Sequence, residues 1–160
     1  MRARLRVVLA TGGNTATATG SSSGGGTINV SIVTPTAKVR GGVTASFDGT
    51  MPDVAVDAAS LTVQARGRNK AYAEASVLAV GALATATGAV ASAEVTNEAD
   101  VDAFVGAAAS IKTTGGITVD AQLVADGDGN KNYAKAWSHG GSGGTISAGE
   151  FVASAKIRGG

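Results

Sequence analysis

Two stretches of this chain carry the same pattern 118 residues apart. NTATATGSSSGGGTINVSIVTPTAKVRGG (14–42) aligns without a gap onto NYAKAWSHGGSGGTISAGEFVASAKIRGG (132–160), with 12 identities in 29 positions, where this composition gives about three by chance. A weaker copy lies between them. Asn69-Lys70-Ala71-Tyr72-Ala73 resembles Asn130-Lys131-Asn132-Tyr133-Ala134, and Val90-Ala91-Ser92-Ala93 recurs as Val152-Ala153-Ser154-Ala155. Leu61-Thr62-Val63-Gln64-Ala65 answers Ile117-Thr118-Val119-Asp120-Ala121. The unit is therefore about 56–62 residues, and residues 1–160 read as one repetitive domain with copies at about 14–68, 69–131 and, in part, 132–160. Copies of one unit must share a backbone, so any fold proposed for one has to suit all three.

Within each unit the hydrophobic period is two. Ile28, Val30 and Ile32 alternate with Asn29 and Ser31; Leu61, Val63 and Ala65 alternate with Thr62 and Gln64. Ile117, Val119, Ala121 and Leu123 alternate with Thr118, Asp120 and Gln122, and Phe151, Ala153, Ala155 and Ile157 with Val152, Ser154, Lys156 and Arg158. That is the pattern of half-buried strands. The Ala-rich stretch from Ala71 onward would suit a helix if it stood alone. Yet Ala71, Ala73, Ala75 and Val77 keep the period of two, and its Gly-rich counterpart would lose about 1 kcal/mol of helix stability per Gly. Strand is expected throughout. Ile28, Val30, Val63, Ile117, Val119 and Ile146 are expected to point inward, with Ala93 and Ala155 where only a methyl group fits.

Composition then narrows the architecture. The chain has 24 Gly and only 4% aromatic residues, so its interior must be narrow and filled by small side chains. A parallel β-helix (β-solenoid) meets that demand, because its coils stack at about 4.8 Å and equivalent residues form ladders. A β-sandwich, whose core is about 10 Å thick, is the alternative. Gly12-Gly13-Asn14, Gly41-Gly42, Gly115-Gly116 and Asp126-Gly127-Asp128-Gly129-Asn130 are the expected corners.

Several functions fall away on residue inventory. The chain has no Cys and one His, which excludes a disulfide scaffold, a Cys-ligated zinc site and thiol catalysis. A net charge of +1 argues against a dedicated nucleic-acid partner. Arg2, Arg4 and Arg6 precede an apolar run, Val7–Ala10, that is too short for a secretory signal. Ala75–Ala93 is uncharged and long enough to span a bilayer, but its repeat counterpart holds Trp137, His139, five Gly and Glu150, so no transmembrane segment is expected.

Val101-Asp102-Ala103-Phe104-Val105-Gly106, Ala109-Ser110-Ile111 and Gly115–Ala121 (GGITVDA) together resemble the repeats of filamentous-haemagglutinin-like and leukotoxin-like bacterial surface adhesins, which include passengers of two-partner secretion and autotransporter systems. The resemblance covers most of residues 14–160. It implies a right-handed parallel β-helix, a structural or adhesive role without enzymatic activity, and an extracellular or cell-surface location. The chain departs from that family in lacking a recognisable export signal or secretion domain.

Individual candidates follow. Asp126, Asp128 and Asn130 carry the spacing that opens an EF-hand calcium loop, but Lys131 and Trp137 stand where Gly and Glu are needed, so a polar turn is preferred to a Ca²⁺ site and no other cofactor is expected. Tyr133 and Trp137 share a strand face with Lys135 between them, which suits either a sugar platform or packing against a neighbour. His139 reads as a loop histidine, and Asn29-Val30-Ser31 matches a glycosylation sequon without meaning in a bacterial context. Glu98, Asp100 and Asp102 would share one strand face, yet no loop insertions build a cleft for glycoside chemistry. Thr15, Thr17 and Thr19 form a row that Thr85 and Thr87 partly repeat but the third copy does not.

Charge is segregated by segment: +3 over 1–13, +1 over 14–68, −5 over 69–131 and +2 over 132–160. One repeat position runs Lys38, Glu94, Lys156. A structural protein of an extracellular fibre or surface filament is therefore expected, self-associating through strand contacts. Arg2, Arg4, Arg6, Lys38, Arg40, Lys156 and Arg158 would face Glu94, Glu98 and Asp100 of a neighbouring copy or repeat unit. An adhesin fragment that binds a host surface or glycan receptor is the alternative.

Overall fold

The computed structural model describes residues 4–49, 58–111, 113 and 115–158. It is all-β: β1 (Arg4–Val33), β2 (Thr36–Val39), β3 (Val43–Phe47), β4 (Ala58–Val95), β5 (Val101–Val105), β6 (Ile117–Leu123), β7 (Asn132–Gly143) and β8 (Ile146–Ile157), with no helix among the described residues. Every strand pairing is parallel. The chain makes three passes: β1–β3, then β4–β5, then β6–β8. β4 lies at the centre of a six-stranded sheet, paired with β1 and β2 and with β6, β7 and β8, while β3 and β5 form a second, two-stranded sheet.

The register follows the repeats. Leu61 lies between Arg6 and Ile117, Ala84 between Ile28 and Ile146, and Glu94 between Lys38 and Lys156. At the last two positions the outer passes are offset by 118, as their sequences are. One stretch differs from expectation. Asn69 pairs with Asn132 rather than Asn130, because the loop between β6 and β7 takes up seven extra residues, the register offset rising from 56 at Leu123 to 63 at Asn132.

A strand of 38 residues such as β4 would span well over 100 Å if straight (about 3.3 Å per residue). It does not run straight. In β1, the Ser22 hydroxyl donates to that of Ser31 (3.3 Å), Gly20 faces Val33 and Gly24 faces Asn29. The chain thus folds back at Gly24–Thr27 while its parallel pairing with β4 continues on both sides of the fold. β4 does the same at Gly81–Leu83, where a side chain on Gly81 would run into the Ala84 carbonyl. Those glycines are required by close approach, and period-two patterning gave no sign of this reversal.

Between the two arms lies the first core, in which Ala71, Ala73, Ala75 and Val77 meet Ala89, Ala91, Ala93 and Val95, all essentially inaccessible. Alanine and valine alone make up this buried cluster. A second core packs Leu61, Val63 and Ala65 beneath Ala45, with Phe47, Val101, Ala103 and Val105 at its margin. Val63 and Ala93 are buried as expected. Ile28, Val30 and Ile146 are not: they point outward and are about two-thirds exposed (67%, 65% and 67%). The strand neighbours of Ile28 and Val30, Asn29 and Ser31, take the inner face instead, in register with the buried Thr85 and Thr87 of β4. Ile117, Val119 and Ala155 stack in register on Leu61, Val63 and Ala93, so they occupy the inner face, but in the third pass they are exposed because no described strand covers them.

Candidate functional site

A line of asparagines marks the corner where the arms diverge. The Asn14 side-chain amide donates to Asn69 Oδ1 (3.0 Å), and Asn69 Nδ2 donates to Asn132 Oδ1 (3.2 Å) and to the Ala99 carbonyl (2.6 Å). Asn14 also donates to the Gly41 carbonyl (2.6 Å). Asn69 is 1% exposed, and a buried amide is tolerated only when its polar atoms are paired. Asn14 and Asn69 each bond both to the next pass and to the bend of their own pass, so the ladder fixes vertical register and corner shape together. Repeat comparison aligned Asn14 with Asn132 and placed Asn14 at a corner, but gave Asn69 no role.

The charge ladder lies farther along the return arm. Glu94 accepts from Lys38 (3.4 Å) on one side and from Arg158 (3.1 Å) on the other, its carboxylate only 16% exposed. Lys156 is the register partner, and Arg158, two residues on, makes the contact. The expected meeting of Glu94 with basic residues thus occurs between passes of one chain. Of the other expected contact residues, Glu98 and Asp100 sit in the bend between β4 and β5 rather than on a strand with Asp102. The backbone N–H of Glu98 donates to the Thr96 hydroxyl (3.4 Å), and the Asp100 carbonyl accepts from Val43 N–H (2.9 Å). Arg40 is exposed just after β2, Arg6 is exposed in β1 at the register position of Leu61, and Arg4 opens β1. Arg2 lies outside the described residues.

On the outward face of the outgoing arms, β4 and β7 build an aromatic and cationic surface. Lys70 Nζ lies 5.4 Å from the Tyr133 ring; Lys135 Nζ lies 6.0 Å from Tyr72 and 5.3 Å from Trp137. His139 tilts against Trp137 at 5.7 Å, and Trp137 is 51% exposed. His139 is in strand β7, not in the loop expected for it. The Tyr72 hydroxyl donates to Glu74 (2.7 Å), and that bond, with burial and the carboxylate's charge, raises the Tyr72 phenol above its ordinary pKa of 10. An open groove of ≈ 580 Å³ adjoins this face, lined among others by Thr15, Thr17, Arg68, Asp126 and Lys131. Thr15, Thr17 and Thr19 do face outward, but Thr85 and Thr87 are buried on the return arm and do not continue their row.

The Asp126–Asn130 loop is a self-contained turn. Asp126 Oδ1 accepts from the backbone N–H of Asp128 (2.9 Å) and Asn130 (2.8 Å), and Gly129 takes the left-handed conformation (φ 84°) that the turn requires. Those donors, the Asn130 backbone first, hold the Asp126 carboxyl below its usual pKa. One of the two Asp126 carboxylate oxygens, Oδ1, is thus engaged within the turn. Among the described residues no helix is long and apolar enough to cross a membrane. Comparison of the chain with protein-family models, curated proteins and solved structures gives no match.

Proposed function

We propose that the chain is a segment of parallel β-solenoid and serves as a non-enzymatic structural element of an extracellular or cell-surface filament. The observation that carries this reading is the register: three successive repeats pair in parallel, with the outer copies at the offset of 118 seen in their sequences. Parallel pairing between repeats is what coil-on-coil stacking produces, whereas sandwiches are built from antiparallel sheets. The alanine-filled interior and the in-register Asn and Lys–Glu–Arg lines support it, since each is a ladder along one stacking axis. In this role the outer edges of β1 and of β6–β8 are where further layers add, and the repeat supplies length and stiffness. The resemblance to bacterial surface adhesin repeats supports the location. Electron microscopy of the purified chain at high salt, where charge at the edges is screened, tests the reading: rods of constant width are expected, and compact round particles would overturn it.

The aromatic and cationic face favours a second reading, an adhesin segment that binds a surface glycan. Half-exposed Trp137 beside Lys135 and Tyr72 offers flat rings and hydrogen-bond donors to a sugar. Trp137→Ala would abolish binding to a glycan array if this reading holds and change nothing if it does not.

A further inference from the structure

We propose that the two outer edges of the stack are docking edges for a layer of the middle type, with a carboxylate at the register position of Glu94, and that they disfavour the outer pass of a second copy. This inference rests on the stacking reading above and names the partner that reading calls for. The first and third passes are alike and the middle one differs, so the order is outer type, middle type, outer type. Charge shows the alternation first. Lys38 and Arg40 of the first pass, and Lys156 and Arg158 of the third, flank the middle pass, and the Glu94 carboxylate bridges Lys38 to Arg158. Bringing a second copy's first pass onto β8 in the same register would set Lys38 and Arg40 over Lys156 and Arg158. Four cations would then meet at about one strand spacing of 4.8 Å without an acid between them.

Side-chain size alternates in the same way. At one inward position the series is Val33, Ala89, Phe151. Phe151 fits because Gly140 and Gly149 lie against its ring, where any added Cβ would approach within 2.9 and 3.1 Å. At an outward position the series is Ile32, Gly88, Glu150, and Ile32 leans over the bare backbone of Gly88. A middle-type layer presents Ala and Gly to these large groups; a second copy would present Val33 to Phe151. The edge therefore selects a neighbour that is acidic and small, continuing the contact that β4 already makes on both sides.

The test uses the full chain in sedimentation velocity at fixed concentration over a salt series, together with a labelled peptide of sequence Ala84–Val95 followed by fluorescence anisotropy. Wild-type copies are expected to associate least at low salt and more as salt screens the cations, and Lys156→Glu to reverse that trend. The peptide is expected to bind, and its Glu94→Lys version to bind about five- to twentyfold more weakly, from two exposed ion pairs lost. Assemblies of wild type that form at low salt and disperse in high salt would overturn the inference, as would equal binding of the two peptides. The wild-type and peptide measurements do not depend on Lys156→Glu folding. If these fail while microscopy still shows rods, the docking rule is wrong and the solenoid stands; round particles remove both.

Discussion

Replacing Asn69 by Ala probes the corner ladder where its burial is complete. The substitution removes three hydrogen bonds: the one accepted from Asn14 at 3.0 Å and those donated to Asn132 at 3.2 Å and to the Ala99 carbonyl at 2.6 Å. Each is worth about 1 kcal/mol net, and the Ala99 carbonyl, deprived of that partner, adds a desolvation cost of about 1–3 kcal/mol. Asn14 keeps its bond to Gly41, so that end of the ladder suffers less. The total is about 4–6 kcal/mol, a large share of what a domain of this size possesses. Asn132→Ala, in the half-buried third pass, should cost about 1 kcal/mol. Urea unfolding followed by β-sheet circular dichroism gives both values under one set of conditions. A cost for Asn69→Ala no greater than that for Asn132→Ala would refute the claim that the ladder holds the passes in register.

Three further outcomes are expected. Ala93→Leu should overpack the narrow core and cost about 1–3 kcal/mol, while Ala155→Leu, on the uncovered third pass, should change stability by less than about 0.5 kcal/mol; thermal melts of the two distinguish them. Gly67→Ala should destabilise the second core, since its Cβ would come within 2.7 Å of Val101 and 3.0 Å of Val43, whereas Gly143→Ala, facing open space, should be neutral in the same melts. In a Tyr133→Phe background, ultraviolet titration should show Tyr72 ionising above its ordinary 10, and Glu74→Gln should bring it back down. Because the folded value is the higher one, the stabilising contribution of that phenol is present below about pH 10 and is lost as pH rises through the folded pKa.

Much of this fold was legible, and the failures have physical causes. The repeat alignment located the partners Leu61 and Ile117, Val90 and Val152, and Lys38 and Glu94. The period of two gave strand for the Ala-rich segment 71–93 against alanine's own preference. Polarity of faces was misread at Ile28, Val30 and Ile146, because a hydrophobic residue was assumed to mark the interior. Along this stretch the inner face is instead polar, with Asn29, Ser31, Thr85 and Thr87 turned inward. The reversals at Gly24–Thr27 and Gly81–Leu83 were missed for a related reason: the parallel ladder passes through them, so alternation is not interrupted where the chain turns. At the site level, Glu94 was expected to meet basic residues of a neighbouring copy or repeat unit, and it meets Lys38 and Arg158 of the two adjacent passes of the same chain. Asn69 escaped notice because a polar residue at a glycine-rich corner resembles any turn asparagine; its recurrence at Asn14 and Asn132 was the available signal.

The central claim is that the three passes lie parallel and in register. The absence of cysteine permits nitroxide labels at chosen sites alone, and Thr11, Arg66 and Gln122 are exposed residues on one register line. Continuous-wave electron paramagnetic resonance of the doubly labelled pairs Thr11/Arg66 and Arg66/Gln122 should show strong spin–spin broadening at about one strand spacing of 4.8 Å. The pair Thr11/Gln122, two spacings apart, should show a weaker dipolar effect. Spectra of both adjacent pairs that equal the sum of their singly labelled chains would contradict the account.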